Sequence, residues 1–214
     1  MCIRDSGTGA PKFKSDIVID KGKIIGVFPA ENGDLRDPSE NHFLSNFKAK
    51  HTINAENKII SPGFIDVHTH DDDNVFLDPS MSSKISQGVT TCVAGNCGIS
   101  LAPFSYKGEV PAPIALLGKS EVFRFPRVSD YKEEFNNKPS SVNLALLTGH
   151  SMLRVEAMNG EFARPATTKE ISKMVDKLKL ALEDGSIGLS TGLAYPAAND
   201  APTSEIIELA KILP

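Results

Sequence analysis

Four short, almost unbroken apolar runs constrain the fold of this chain more than any other feature. Phe64-Ile65-Asp66-Val67, Thr90 to Ala94, Val142 to Leu147 and Ile187 to Leu193 each predict a strand, and helical stretches lie between them. Strands that are apolar on both faces need cover on both, as in a parallel sheet wrapped by its own crossover helices. The clearest helix lies between the third and fourth runs. Thr167 and Glu170 form a capping box there, and Ile171, Met174, Val175, Leu178 and Leu182 share one face. Gly185 stands where a C-cap glycine belongs. A shorter helix is predicted from Ser80 to Gln87, closed by Gly88. Another starts near Thr203, with Ile206, Leu209, Ala210 and Leu213 on one face, and is expected to be still running at Pro214. Residues 98–141 are too long for a plain crossover and predict a loop with a small helix near Tyr131 to Asn136. The fold class is α/β, and four strand–helix repeats make the first half of a (β/α)8 barrel.

The opening residues have a different texture. Residues 16–28 place β-branched runs on either side of Asp20-Lys21-Gly22-Lys23, a hairpin signature in which the glycine accepts positive φ. Residues 31–50 are polar and read as an exposed loop, and His51 to Ile60 returns to strand character. The chain therefore divides into an all-β part over 1–60 and a barrel part over 61–214.

Bulk properties exclude several classes. Hydrophobic residues are 40% and charged residues 23% of the chain, which is a globular rather than a disordered balance. A net charge of -4 without a basic block argues against a nucleic-acid or anionic-membrane surface. No apolar run approaches the ~20 residues of a membrane span. The start lacks the apolar core of a secretory signal, so a cytoplasmic setting is expected. Cys2, Cys92 and Cys97 are too few for a disulfide scaffold and predict reduced thiols.

Chemistry concentrates at the predicted strand ends. His68-Thr69-His70 places two imidazoles on one side at the strand period, a pair that binds zinc, nickel or iron. Two histidines in a polar loop can also be merely solvated; the position at the C-terminal end of a buried strand, where barrel enzymes act, favours a metal. Cys97, in Gly95-Asn96-Cys97-Gly98, ends the neighbouring strand, and its glycine flanks allow close approach. It is a candidate thiolate ligand, the alternative being a packed structural thiol, which is the reading for Cys92. Asp66 and Asp71 to Asp73 surround the histidines. One of them can orient an imidazole through its second nitrogen, or Asp72 and Asp73 can form a solvated turn. His150 also follows a strand and suits either a substrate or carboxylate contact or a structural hydrogen bond. Tyr195, with the hydroxyls of 190–191, can bind a carboxylate or carbonyl, or simply pack the loop. The stretch 186–196 contains no lysine, so no carboxylated lysine can bridge two metals there. No phosphate-binding glycine loop and no GxSxG elbow occurs.

Three groups of residues together resemble a known family. Pro62 to His70 resembles the first barrel strand of the amidohydrolase superfamily. Lys84-Ile85-Ser86-Gln87-Gly88-Val89-Thr90-Thr91 with Gly95-Asn96-Cys97-Gly98-Ile99-Ser100 resembles its N-acyl-D-amino-acid deacylase branch, the D-aminoacylases. Gly149 to Arg154 and Ser190 to Tyr195 continue the match, over roughly residues 7 to 213. The resemblance implies a metal-dependent (β/α)8 TIM barrel joined to a small β-sandwich, to which residues 1–60 contribute. It implies zinc, with Cys97 as the ligand shared between the zinc positions and His68 and His70 holding a second, looser ion beside one tightly bound. Tyr195 would help hold the substrate's α-carboxylate, and two further histidines and the general-base aspartate would come from strands beyond Pro214. The implied reaction is hydrolysis of a small-molecule N-acyl-D-amino acid to a carboxylate and a D-amino acid. Met1 to Ser6 do not match the family's opening strand and are expected to be extraneous, with no role for Cys2. The 214 residues are expected to be an N-terminal fragment, inactive alone and poor at folding. The alternatives are another amide or cyclic-amide hydrolase of the superfamily, or a non-catalytic metal-binding protein.

Overall fold

A computed structural model of the chain describes residues 2–3, 11–29, 48–107, 110–112 and 114–214. It separates into two compact units, Met1–Pro62 and Gly63–Pro214. Most of the predicted loop over 31–50 lies outside the described residues.

The first unit is a four-stranded sheet of β1 (Cys2–Ile3), β2 (Phe13–Asp20), β3 (Lys23–Pro29) and β4 (Ile59–Ile60), in the order β3-β2-β1-β4. β2 and β3 form the expected hairpin, with Asp20 opposite Lys23. Both turn residues, Lys21 and Gly22, have positive φ (48° and 75°), as the twist-matched two-residue hairpin turn requires. Cys2–Ile3, expected to be extraneous, pairs antiparallel with β2 and parallel with β4. The strand predicted from His51 shrinks to Ile59–Ile60. Asn54 Oδ1 accepts the Glu56 amide at 2.9 Å and Asn57 takes φ +58°, so the side-chain turn chemistry of asparagine overrides the apolar pattern.

The second unit begins with β5 (Phe64–Asp66), the one-turn helices α1 (Asn74–Leu77) and α2 (Ser82–Ile85), and β6 (Val89–Ala94). The insert holds a small hairpin, β7 (Phe104–Ser105) with β8 (Arg124–Phe125), and α3 (Val128–Asn137), which covers the predicted small helix. Then come β9 (Asn143–Leu146), β10 (Thr148–Gly149), α4 (His150–Ala157), α5 (Thr168–Glu183), β11 (Leu189–Ser190) and α6 (Thr203–Ala210). β5, β6 and β9 pair in parallel and in sequence order, and β10 pairs in parallel with β11. Leu147 still donates to Ala94 O at 2.9 Å, so β9 and β10 are one strand with a local break. Four parallel strands in order 1-2-3-4, with helices between them, is half an eight-stranded barrel.

α5 carries the capping box: Glu170 N donates to Thr167 Oγ1 at 3.3 Å, and Thr167 N to Glu170 Oε2 at 2.8 Å. Met174 and Leu178 on the predicted face are fully buried. Three expectations need correcting. The fourth strand is two residues long rather than seven: Ile187 N and Gly188 O still bond to the third strand, but the chain after Ser190 leaves the ladder and turns, with Tyr195 N donating to Gly192 O at 3.0 Å. The last helix ends at Ala210 rather than running on, and Leu213 N closes a turn onto Ala210 O at 3.1 Å. The predicted Ser80–Gln87 helix contracts to Ser82–Ile85, since Met81 takes φ +43°. α4 has no counterpart among the expected elements. All of its residues except Glu156 are buried, so it lacks the one-sided apolar stripe that reveals a surface helix. Among the described residues no helix is long and apolar enough to cross a membrane.

Candidate metal centre

The site sits where β5 and β6 end side by side. The pairing of Asp66 with Cys92 continues past the strands, where Thr69 N donates to Val93 O at 3.1 Å. This holds the His68-Thr69-His70 segment against the turn that follows β6. The two imidazoles lie edge to face, 6.0 Å between centroids, and His68 Nε2 is 3.1 Å from Cys97 Sγ. One ligand atom from each of His68, His70 and Cys97 falls within 4.8 Å of the others. His70 Nδ1 is buried without a hydrogen-bond partner. Burial first, then the neighbouring His68, pushes the pKa of His70 down and favours the neutral imidazole that ligates metals. A thiol and two imidazoles, one with an unpartnered buried nitrogen, form a donor set suited to a borderline-soft divalent cation such as zinc.

The geometry depends on an irregular turn. Gly95, Cys97 and Gly98 take φ of 78°, 57° and 76°. Only glycine fits at 95, where a Cβ would lie 2.1 Å from Leu147 O. Asn96 Nδ2 donates to Val93 O at 2.8 Å and to Thr69 O at 3.3 Å, tying the turn to the residue between the two histidines.

The surrounding acids do other work than expected. None of them reaches a ring nitrogen of His68 or His70 among the described hydrogen bonds. Asp66 Oδ1 instead accepts the His68 backbone amide at 3.3 Å. Lys84 stands between Asp66 (2.8 Å) and Asp71 (3.0 Å), and its hydrogen bond is the main reason the Asp66 carboxyl lies below its usual pKa. Asp72 and Asp73 are not a solvated turn, being 0% and 8% exposed. Asp72 accepts the amides of Gly95 and Leu101, each at 3.3 Å. Burial, opposed by these bonds, raises its pKa to about 7. Sequence reasoning missed Lys84 and gave Asp72 no definite role. The only signals were that Lys84 opens the Lys84–Thr91 motif and that Asp72 follows the histidine pair.

Tyr195 lies half-buried beside Cys97, whose charge and hydrogen bond raise the pKa of the phenol. His150 does not join this group. It is fully buried and bonded through Nε2 to Glu205 Oε1 at 2.7 Å, so of its expected roles the structure shows a carboxylate contact within the protein. Cys92 is fully buried inside β6.

Residues 51–212 match the Amidohydrolase family. The chain belongs to that family. Its relatives include a D-aminoacylase and an N-acyl-D-aspartate deacylase of Alcaligenes xylosoxydans xylosoxydans, each 40% identical across 97% of this chain. The alignments cover 40% and 38% of those two proteins, so the chain spans about 40% of the length of the relatives it matches. A crystal structure of D-aminoacylase superposes with a TM-score of 0.85 at 42% identity, covering 98% of this chain and 40% of that one. N-acyl-D-glutamate deacylase from Bordetella bronchiseptica, complexed with zinc and a phosphonate mimic of the tetrahedral intermediate, gives 0.85 at 38% with the same coverage. The four parallel strands of this amidohydrolase-family chain are thus the first half of a TIM barrel.

Proposed function

We propose that the protein to which this chain belongs hydrolyses the amide bond of N-acyl-D-amino acids, with His68, His70 and Cys97 holding zinc. The observation that carries this reading is the convergence of those three side chains at adjacent strand ends, in a family whose relatives at about this identity are D-amino-acid deacylases. Bound zinc would supply Lewis acidity, polarising the acyl carbonyl and acidifying water. Cys97 would be shared between a tightly bound ion and a second, weaker one that the two histidines hold. Tyr195, beside Cys97, would orient the substrate by donating to its α-carboxylate. The general base is assigned to a later barrel strand.

The test uses the whole natural protein. Zinc per chain is measured, and turnover of N-acetyl-D-methionine, N-acetyl-D-aspartate and N-acetyl-D-glutamate is compared with that of the L enantiomers. The expected result is stoichiometric zinc, D-selective release of a free amine, and loss of most zinc and activity in Cys97→Ala. No turnover of any D substrate, or full activity with unchanged zinc in Cys97→Ala, overturns the reading.

A further inference from the structure

Cys97 faces the histidines from a backbone conformation that L-residues avoid. A left-handed residue with a Cβ costs roughly 1–2 kcal/mol, so something outside the residue must hold it there. Two side chains do so from opposite sides. Ser190, the last residue of β11, donates to Gly95 O at 2.5 Å and accepts from Gly98 N at 2.9 Å. One hydroxyl thereby bridges the first and last residues of the turn and leaves Cys97 on the arc between them. Asp72, fully buried two residues after His70, accepts from Gly95 N and from Leu101 N, which bracket the same segment from the β5 side. Both clamps bind backbone, and neither side chain reaches the ligand atoms.

We propose that Ser190 and Asp72 are positioning residues for the Cys97 thiolate, and that Ser190 makes its placement depend on the fourth barrel strand. This rests on the reading of Cys97 as a metal ligand. Ser190→Ala strips the bridge from Gly95 O and Gly98 N, frees the turn to relax, and swings Sγ away from the imidazoles. Asp72→Asn puts an amide donor against one of the two N–H groups that the carboxylate accepts. Because β11 leads within five residues to Tyr195, the same hydroxyl also keeps the thiolate and the phenol in register.

The experiment uses the whole natural protein loaded with cobalt(II), which reports a bound thiolate through its charge-transfer absorption, together with zinc affinity from chelator competition. Ser190→Ala and Asp72→Asn are measured singly, and Ser190→Ala also in a Cys97→Ala background. The expected result is a weakened thiolate–cobalt band and zinc affinity lower by about 10- to 100-fold, the range for removing an outer support of a metal ligand. Ser190→Ala should cause no further loss once Cys97 is absent, since a residue acting through another is non-additive with it. Should Asp72→Asn fail to fold, Ser190→Ala decides alone. Parental band and affinity in Ser190→Ala, or an equal affinity loss in both backgrounds, overturns the positioning role while leaving the ligand assignment intact. A parent with no thiolate band, whose affinity is untouched by Cys97→Ala, overturns the ligand assignment and this inference with it.

Discussion

Replacing Arg154 with methionine tests how α4 and α6 are joined. Arg154 is fully buried and donates through all three of its nitrogens. NH1 donates to both oxygens of Glu205 (2.7 and 2.5 Å), Nε to Ala197 O (2.9 Å), and NH2 to Phe162 O (3.0 Å) and Arg164 O (2.8 Å). Glu205 is also fully buried, and breaking a buried pair by removing one partner costs ~3–5 kcal/mol. The glutamate can escape part of this by protonating. From its ordinary value of 4.5, that escape costs about 3.4 kcal/mol at pH 7, at ~1.36 kcal/mol per unit, and so caps the charge penalty. Three carbonyls lose their donors, at about 1 kcal/mol each where water does not replace them. His150 remains 2.7 Å from the carboxylate and takes over part of the pairing. The expected loss at pH 7 is therefore about 4–5 kcal/mol, read from urea midpoints followed by far-ultraviolet circular dichroism at a fixed zinc concentration. A pH signature goes with it. In the parent, burial alone would raise the Glu205 carboxyl, but His150 and Arg154 outweigh it and hold the pKa down. The parent's stabilisation is thus present above 4.5 and lost as pH falls through the depressed folded value. In the variant the folded pKa is raised, so stability is lost as pH rises from 4.5. The gap between the two must narrow as pH falls from 7 towards 4.5. A loss under about 1 kcal/mol, or a gap that does not change with pH, refutes the reasoning.

Thr167→Ala removes the hydroxyl that caps α5 and should cost ~1 kcal/mol in a thermal or urea melt with no change in zinc content. Cys92→Ala should cost ~0.5–3 kcal/mol from lost packing while zinc per chain stays at the parental level, in contrast to Cys97→Ala. Gly95→Ala introduces a Cβ 2.1 Å from Leu147 O at a residue with φ +78°. It should lower both the melting midpoint and the zinc affinity, and a parental affinity would show that the turn can shift without moving Cys97.

Much of the fold was legible because its signals are local. Thr167 with Glu170, the apolar face through Met174 and Leu178, and the Lys21-Gly22 turn each depend on neighbours within a few positions, so the chain alone carries them. α4 was not legible, because a helix buried nearly all round has no stripe to read. The seven-residue fourth strand was overread, because an apolar run does not show that the chain leaves the ladder and turns after Ser190. The same division holds at the site. His68, His70 and Cys97 stand out as motifs at strand ends, whereas the work of Asp72 consists of two hydrogen bonds to amides 23 and 29 positions away.

That division reflects how the site is held together. Asn96 reaches back to Thr69 on the β5 side, Ser190 reaches across from β11, and the Ser151 amide donates to Gly98 O at 2.9 Å from the start of α4. The turn bearing Cys97 is therefore fastened to the segments that follow the first and third strands and to the end of the fourth, though it follows the second. A ligand supported by its own strand would keep its place whenever that strand forms. One supported by three other strands takes its place only when the sheet has assembled in order through the fourth. On the proposed reading of Cys97 as a zinc ligand, metal affinity and assembly of this half-barrel are linked, and zinc that binds only the assembled form would stabilise it by mass action. Adding zinc should raise the unfolding midpoint of the whole natural protein, and should do so less in Ser190→Ala than in the parent.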